Sequence, residues 1–313
     1  DGVQLFYASP GALNWESILV HVQDIKPDYI YLNSMYSTCF TIYPLLMKRL
    51  GMIKALVVLA PRGMLKSTAV QYKTGKKQLF FKLLKWLRVQ KQIIFHATDA
   101  TEETDIRNLF GKDVTIKQIT NFPPQQKALQ IINKQSGAIK IIFVGRVHPI
   151  KNLSFLLTCL QTITAKVQLT IVAAIEDEAY WIKCGDIINN LTERVTVKLQ
   201  QDIPHHQIEQ LINNHHLFVL PTLGENFGHA IFEALSAGRP VLISDQTPWR
   251  NLQEYYAGWD LSLSDEAAFV RVLQQVAAMD DEAYQQWSTG AWQYAKNFTE
   301  SSDLKEKYKE LFS

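Results

Sequence analysis

Residues 217–245 read LFVLPTLGENFGHAIFEALSAGRPVLISD. An apolar run of strand character, LFVLPT (217–222), gives way to a glycine-bearing turn, a helical stretch and a second apolar run, PVLISD (240–245). Two such runs with one helix between them mark a parallel βαβ unit, because parallel strands need a crossover. The linking stretch holds two acids eight positions apart, Glu225 just before the helix and Glu233 within it. A carboxylate near a helix N-terminus gains from the macrodipole. Glu233 instead shares its turns with the apolar Ala230, Ile231, Ala234 and Leu235. Two acids aimed at one crevice suit a ligand with several hydroxyls; a capped helix with a partly buried, paired Glu233 is the plain alternative.

The same alternation extends in both directions. Upstream, VQLFYAS (3–9), YIYLNS (29–34), ALVVLAP (55–61), QIIFHATD (92–99) and TIKQITN (115–121) read as buried strands. Helices are expected between them, among them 12–24 and 101–110, the latter closed by Gly111. The proline-bearing stretch NFPPQQKALQIINKQSGA then reads as a hinge over 123–138. Strands resume with IKIIFVG (139–145), VQLTIVA (167–173), RVTVKL (194–199) and the two runs already quoted. Strand–helix repetition of this length predicts an α/β protein with parallel, doubly wound sheets. The expected domains are 1–122, 139–292, and a C-terminal stretch 293–313 packing back on the first, with a helix capped at Thr299. Ligands of open parallel sheets bind beyond the carboxyl ends of the strands.

With 47% apolar and 20% charged residues in 313, the chain can bury a core and is not disordered. No apolar run reaches the roughly 20 residues that span a bilayer, and no signal peptide is visible at the start. Cys39, Cys159 and Cys184 are far apart and read as reduced core thiols of a cytoplasmic protein. Residues 1–137 hold 18 Lys/Arg against 9 Asp/Glu, and the remainder 14 against 21, a split that points to two domains with different partners. The basic excess lies in 62–91. Within it, 76–91 is expected to be a helix with Leu79, Phe80, Leu83, Leu84 and Leu87 on one face, and Lys82, Lys85 and Arg88 opposite with Phe81 among them. That face is either simply solvated or attaches to an anionic membrane surface.

After IKIIFVG come Gly145, Arg146 and Lys151, with Asn152 as a candidate N-cap. Two cations beside a helix N-terminus form an anion site; two solvated surface cations are the alternative. After LFVLPT, Gly224 and Gly228 permit a close turn, with the amides of Asn226, Phe227 and Gly228 available to a ligand. After PVLISD, the loop tip carries Gln246, Thr247 and Trp249. The pairs His205/His206 and His215/His216 lie beside expected helices without metal-ligand spacing, while His96 and His148 border the strand ends.

FVGRVHPIKNL together with LPTLGENFGHAIFEALSAGRPVLISDQTPWRNL resembles the donor domain of group 1 glycosyltransferases, a retaining family with the GT-B fold of two Rossmann-like domains facing a cleft. Glu225 and Glu233 match its EX7E motif. LAPRGML (59–65), KTGKK (73–77) and HATDATEETDIRNLFG (96–111) resemble its acceptor domain. The resemblance implies that Arg146 and Lys151 neutralise a donor diphosphate, that Glu225 meets the transferred sugar with the amides near Phe227 and Gly228, and that Glu233 holds the ribose. Gly145, Asn226, Ile203 and Thr247 are implied around the donor, and Arg62 on the acceptor side. It implies a nucleotide diphosphate sugar (UDP first, GDP second), a glycan or lipid-linked acceptor, front-face attack and no metal. The setting would be bacterial surface polysaccharide or glycolipid synthesis, cytoplasmic and peripheral on the membrane face.

Two departures bear on this. VQLFYAS resembles the family's third strand, so the N-terminal domain is expected to be incomplete, and a catalytically inactive membrane-associated partner subunit is the second reading. AIEDEAY after VQLTIVA, and Gln201 in KLQQDIP, stand where relatives have glycine beside the base pocket. No GxG occurs, which argues against a nicotinamide oxidoreductase, and no nucleic-acid module is recognisable.

Overall fold

A computed structural model describes residues 5–9, 11–65, 81–82, 84–123, 126, 128–301 and 303–313. KTGKK (73–77), Leu79, Phe80 and Leu83 lie outside the described residues. The chain divides into two compact units, Asp1–Asn121 with Leu304–Ser313, and Phe122–Asp303.

The first unit holds four parallel strands in sequential order, β1 (Tyr29–Leu32), β2 (Leu56–Leu59), β3 (Ile93–Ala97) and β4 (Thr115–Gln118). Helix α1 (Trp15–Ile25) opens with a capping box in which the Asn14 side chain accepts from the Ser17 amide at 2.9 Å and Ser17 Oγ accepts from the Asn14 amide at 3.0 Å. After α2 (Tyr43–Arg49) and α3 (Ala100–Phe110), one sheet face buries Leu45, Met47, Leu59, Phe95 and Ile106. The C-terminal helix Leu304–Leu311 lays Leu304 and Leu311 against Val58 and Ile119. Phe81 is buried, edge-on to Tyr36 and Phe110, rather than among the cations, whereas Lys82, Lys85 and Arg88 are exposed.

The expected strand at 3–9 does not form over its described part, and Leu5, Phe6 and Tyr7 are 69–87% exposed. An apolar run becomes a strand only when a neighbour takes its amides and carbonyls. Among the described residues no strand pairs with it, and the Ser9 carbonyl accepts instead from the Ala12 amide at 2.9 Å, in a turn.

The second unit carries six parallel strands in the order β10-β9-β8-β5-β6-β7. These are β5 (Ala138–Val144), β6 (Lys166–Val172), β7 (Val195–Gln200), β8 (Leu217–Leu220), β9 (Val241–Ser244) and β10 (Gly258–Leu261). The last was not expected from sequence. β8 and β9 are buried at every position, as strands covered on both faces must be. Helices α4 (Leu153–Gln161), α5 (Glu178–Asn189), α6 (His205–Asn213), α7 (His229–Ser236), α8 (Glu266–Ala278) and α9 (Asp281–Ser301) make the crossovers and cover. Gly290 lets α9 pass the Tyr255–Tyr256 backbone, since a Cβ there would sit 2.5 Å from both carbonyl oxygens. The tail expected as one helix over 299–313 is therefore two. α9 runs on because Ala291, Ala295 and Phe298 pack into the core. Thr299 is no cap; its hydroxyl donates back to the Ala295 carbonyl at 3.0 Å.

Candidate functional site

Strand order reverses between β5 and β8, so their carboxyl ends lie side by side at a topological switch point. Because every strand of the unit is parallel, the loops after β5, β6, β7, β8 and β9 all emerge on this edge. Hydrogen bonds join them. The Leu223 amide and the Thr222 hydroxyl both donate to the Ile150 carbonyl, at 2.8 and 2.9 Å, and the Glu225 amide donates to the Gln246 carbonyl at 3.0 Å.

Lys151 Nζ bonds Glu225 Oε1, with the two side chains only 17% and 14% exposed. The lysine comes from a short turn, Pro149–Lys151, opened by His148 Nδ1 accepting from the Ile150 amide at 3.2 Å. The lysine stem packs over Gly145, where a Cβ would make only ordinary contact with Lys151 Cγ, at 3.6 Å. Asn152 precedes α4 in the left-handed region (φ 55°) and makes no side-chain cap bond, contrary to expectation, because the preceding turn already closes the bend. Gly228, at φ 74°, begins α7; a Cβ would lie 2.8 Å from Ile231 Cδ1. Only glycine adopts that conformation at no steric cost.

Arg146 reaches a different partner, Glu176 Oε2 at 2.5 Å, in a half-exposed pair. Glu233 Oε1 is 3.1 Å from His205 Nε2, and its side chain is 18% exposed. The four ionic residues singled out in sequence thus share one edge of the sheet, and Lys151 and Glu225 pair with each other. Glu176 and His205 complete the arrangement. Glu176 lay in the AIEDEAY departure and His205 in a histidine pair, and neither signal names a partner thirty residues away.

Other residues take quieter places. The Phe227 ring is 2% exposed and packs on Phe232, Trp249 and Phe298, so only the backbone there is left to meet a ligand. Its carbonyl accepts from Trp249 Nε1 at 2.6 Å. Thr247 is buried and accepts from the Trp249 amide at 3.3 Å. Asn226 is half-buried, Ile203 packs against the core, and Gln201 is exposed.

In the first unit, Arg62 follows β2 with φ 53° and donates from Nε to Asn33 Oδ1 at 2.6 Å and from Nη2 to the Tyr31 hydroxyl at 2.9 Å. His96 Nε2 faces the Ile119 carbonyl at 2.7 Å, so this nitrogen carries the proton, and Nδ1 accepts from the Tyr31 hydroxyl at 2.6 Å. Burial pushes Tyr31 up to about 12 and His96 below its ordinary value. His96 is fully buried, which makes it a support rather than a ligand contact. Glu102, 1% exposed, accepts from the Gly63 amide and from the amide and hydroxyl of Thr98. This frame was not expected from sequence. Among the described residues no group of three or more His, Cys, Asp or Glu side chains stands where it would hold a metal ion, and no helix is long and apolar enough to cross a membrane.

Residues 138–278 match the family described as "Glycosyl transferases group 1". Among solved structures, Anabaena Alr3699/HepE in complex with UDP and glucose is 16% identical, with a TM-score of 0.68 over 95% of this chain and 80% of that one. A point mutant of S. aureus TarM, with fondaparinux, alpha-GlcNAc-glycerol and UDP, is 14% identical, with a TM-score of 0.67. That match covers 96% of this chain and 59% of TarM. WaaG, a glycosyltransferase involved in lipopolysaccharide biosynthesis, is 13% identical, with a TM-score of 0.64 over 95% of this chain and 80% of that one. Comparison with curated protein sequences finds no match. The fold is α/β with parallel sheets, matching GT-B glycosyltransferase structures, and residues 138–278 are a group 1 glycosyl transferase domain.

Proposed function

We propose that this chain is a retaining glycosyltransferase that moves a sugar from a nucleotide diphosphate sugar to a glycan or lipid-linked acceptor in bacterial surface polysaccharide or glycolipid synthesis. The reading rests on the enclosed Lys151–Glu225 pair at the switch point of a group 1 glycosyl transferase domain. UDP is preferred over GDP because HepE and TarM are seen with UDP.

Cleaving a glycosyl–phosphate bond builds negative charge on the leaving diphosphate and oxocarbenium character on the sugar. Fixed cations and helix amides stabilise that leaving group better than water, which must reorganise. Arg146 and Lys151 supply the cations. Glu225, held by Lys151, receives the sugar hydroxyls, and Glu233 the ribose. Attack on the same face, with the departing phosphate assisting deprotonation, retains configuration and needs neither a carboxylate nucleophile nor a metal. Arg62, rigidly seated in the first unit, serves the acceptor. The exposed cations Lys82, Lys85 and Arg88 attach the enzyme to an anionic membrane face.

Calorimetric titration with UDP and GDP tests the donor site. Micromolar binding of one of them is expected, weakened about tenfold or more by Arg146→Ala and by Glu233→Ala, the usual size for a lost charge-assisted contact. No binding of either nucleotide would favour the alternative, an inactive partner subunit.

A further inference from the structure

We propose that Glu176 is the internal counter-ion of the diphosphate subsite: it holds Arg146 while the site is free, yields it to the incoming diphosphate, and thereby sets how tightly nucleotide diphosphates are retained. This rests on the donor-site reading above.

Glu176 is no chance surface neighbour. The loops after β5 and β6 are joined by a parallel bridge between Val147 and Ile175, and the Val147 amide donates to the Ala174 carbonyl at 2.9 Å. The amides of Glu176 and Asp177 both donate to the Val147 carbonyl, at 3.3 and 3.1 Å. Asp177 is fixed in turn as the cap of α5, accepting from the Tyr180 amide at 2.9 Å. The backbone therefore holds residue 176 next to the loop that carries Arg146, and Glu176 Oε2 lies 2.5 Å from Arg146 Nη1. The side chains are 57% and 45% exposed, and an ion pair so wet is weak. A diphosphate brings a larger charge and oxygens that a guanidinium can grip with two donors, so it prevails. Once displaced, Glu176 stays close by as a like charge. Competition and repulsion act in the same direction, and both favour release of the nucleotide diphosphate product. The deeper Lys151–Glu225 pair does not do this work, because Glu225 is assigned to the sugar rather than the phosphates.

The experiment titrates UDP and GDP into the full chain, E176Q, R146A and the double variant, at low and high salt. E176Q is expected to bind the diphosphate about three- to tenfold tighter than the unmodified chain, the range for removing one partly screened like charge. The gain should shrink as salt rises, vanish in the R146A background, and leave the melting temperature unchanged. If the unmodified chain binds a diphosphate but E176Q binds it equally or more weakly, Glu176 merely orients Arg146 and this inference alone fails. A gain that persists without Arg146 also overturns the competition. No nucleotide diphosphate binding by the unmodified chain overturns the inference and the donor-site reading together.

Discussion

His215 and His216 are adjacent in the chain yet hold opposite tautomers. His215 Nδ1 donates to the Leu211 carbonyl at 2.6 Å and Nε2 accepts from the Thr170 hydroxyl at 2.8 Å. His216 Nδ1 accepts from the Lys140 amide at 3.0 Å and Nε2 donates to the Asn133 carbonyl at 3.2 Å. A second ring proton would set His216 Nδ1–H against the Lys140 amide, and at His215 it would require the Thr170 hydroxyl to turn and accept. Burial, reinforced for His216 by Lys134, Lys140 and Arg239, lowers both rings, His216 to about 4. The unfolded chain therefore takes up protons between about pH 6.5 and 4 that the native state refuses. Stability is at its full value above that window and falls as pH drops through it, by on the order of 1–2 kcal/mol at pH 5 from His216 alone. Melting temperatures at pH 7 and pH 5 check this, with His216→Gln expected to flatten the difference; an undiminished slope in that variant would refute the assignment. Sequence offered the histidine pair but not its role, since a tautomer is set by partners such as Asn133 and Thr170 that no local pattern names. The same limit hid the pairing of His205 and Glu176, whereas the placement of Arg146, Lys151, Glu225 and Glu233 at the strand ends could be read because each follows, or lies in the helix after, a recognisable strand.

The strands were legible as elements because buried parallel strands are continuous apolar runs, and β5, β8 and β9 fall within two residues of their expected limits. β10 escaped because GWDL is short and carries an acid. The run at 3–9 was misread for the converse reason, since its apolar residues find no ladder partner among the described residues. Helical periodicity likewise misplaced Phe81, which turns inward between Tyr36 and Phe110, while Trp86 remains 77% exposed beside Lys82 and Lys85. A tryptophan among cations is the composition that seats a helix in a headgroup layer. The membrane proposal therefore predicts salt-sensitive sedimentation with phosphatidylglycerol vesicles at low ionic strength, each cation contributing about 1 kcal/mol. Replacing Lys82, Lys85 and Arg88 together by Gln should abolish it. Absence of binding by the unmodified chain at low salt would end the idea.

At the scale of the molecule, the sequence showed two α/β halves of opposite charge and a tail expected to pack back on the first from residue 293, whereas the return begins at Leu304. Leu304–Ser313 belongs to the first unit, where Leu311 is fully buried and Lys117 and Tyr308 bond across to Glu310 and Thr120. The reason lies in the sheet. β1, β2 and β3 present Tyr29, Tyr31, Val58 and Ile94 on the face opposite the main helical core, and a parallel sheet needs cover on both sides. Ten residues, Leu304–Ser313, supply it, so the first unit depends on a segment remote from it in sequence. Leu311→Ala is expected to cost the first unit about 2–4 kcal/mol, the range for a truncated buried leucine, with no loss in the second. Differential scanning calorimetry with and without the nucleotide that binds distinguishes the two, because a ligand of the donor domain raises only the transition of the unit that holds it. The variant should lower the transition that the nucleotide leaves in place; a loss confined to the nucleotide-shifted transition would place this helix's stabilising contacts in the other unit.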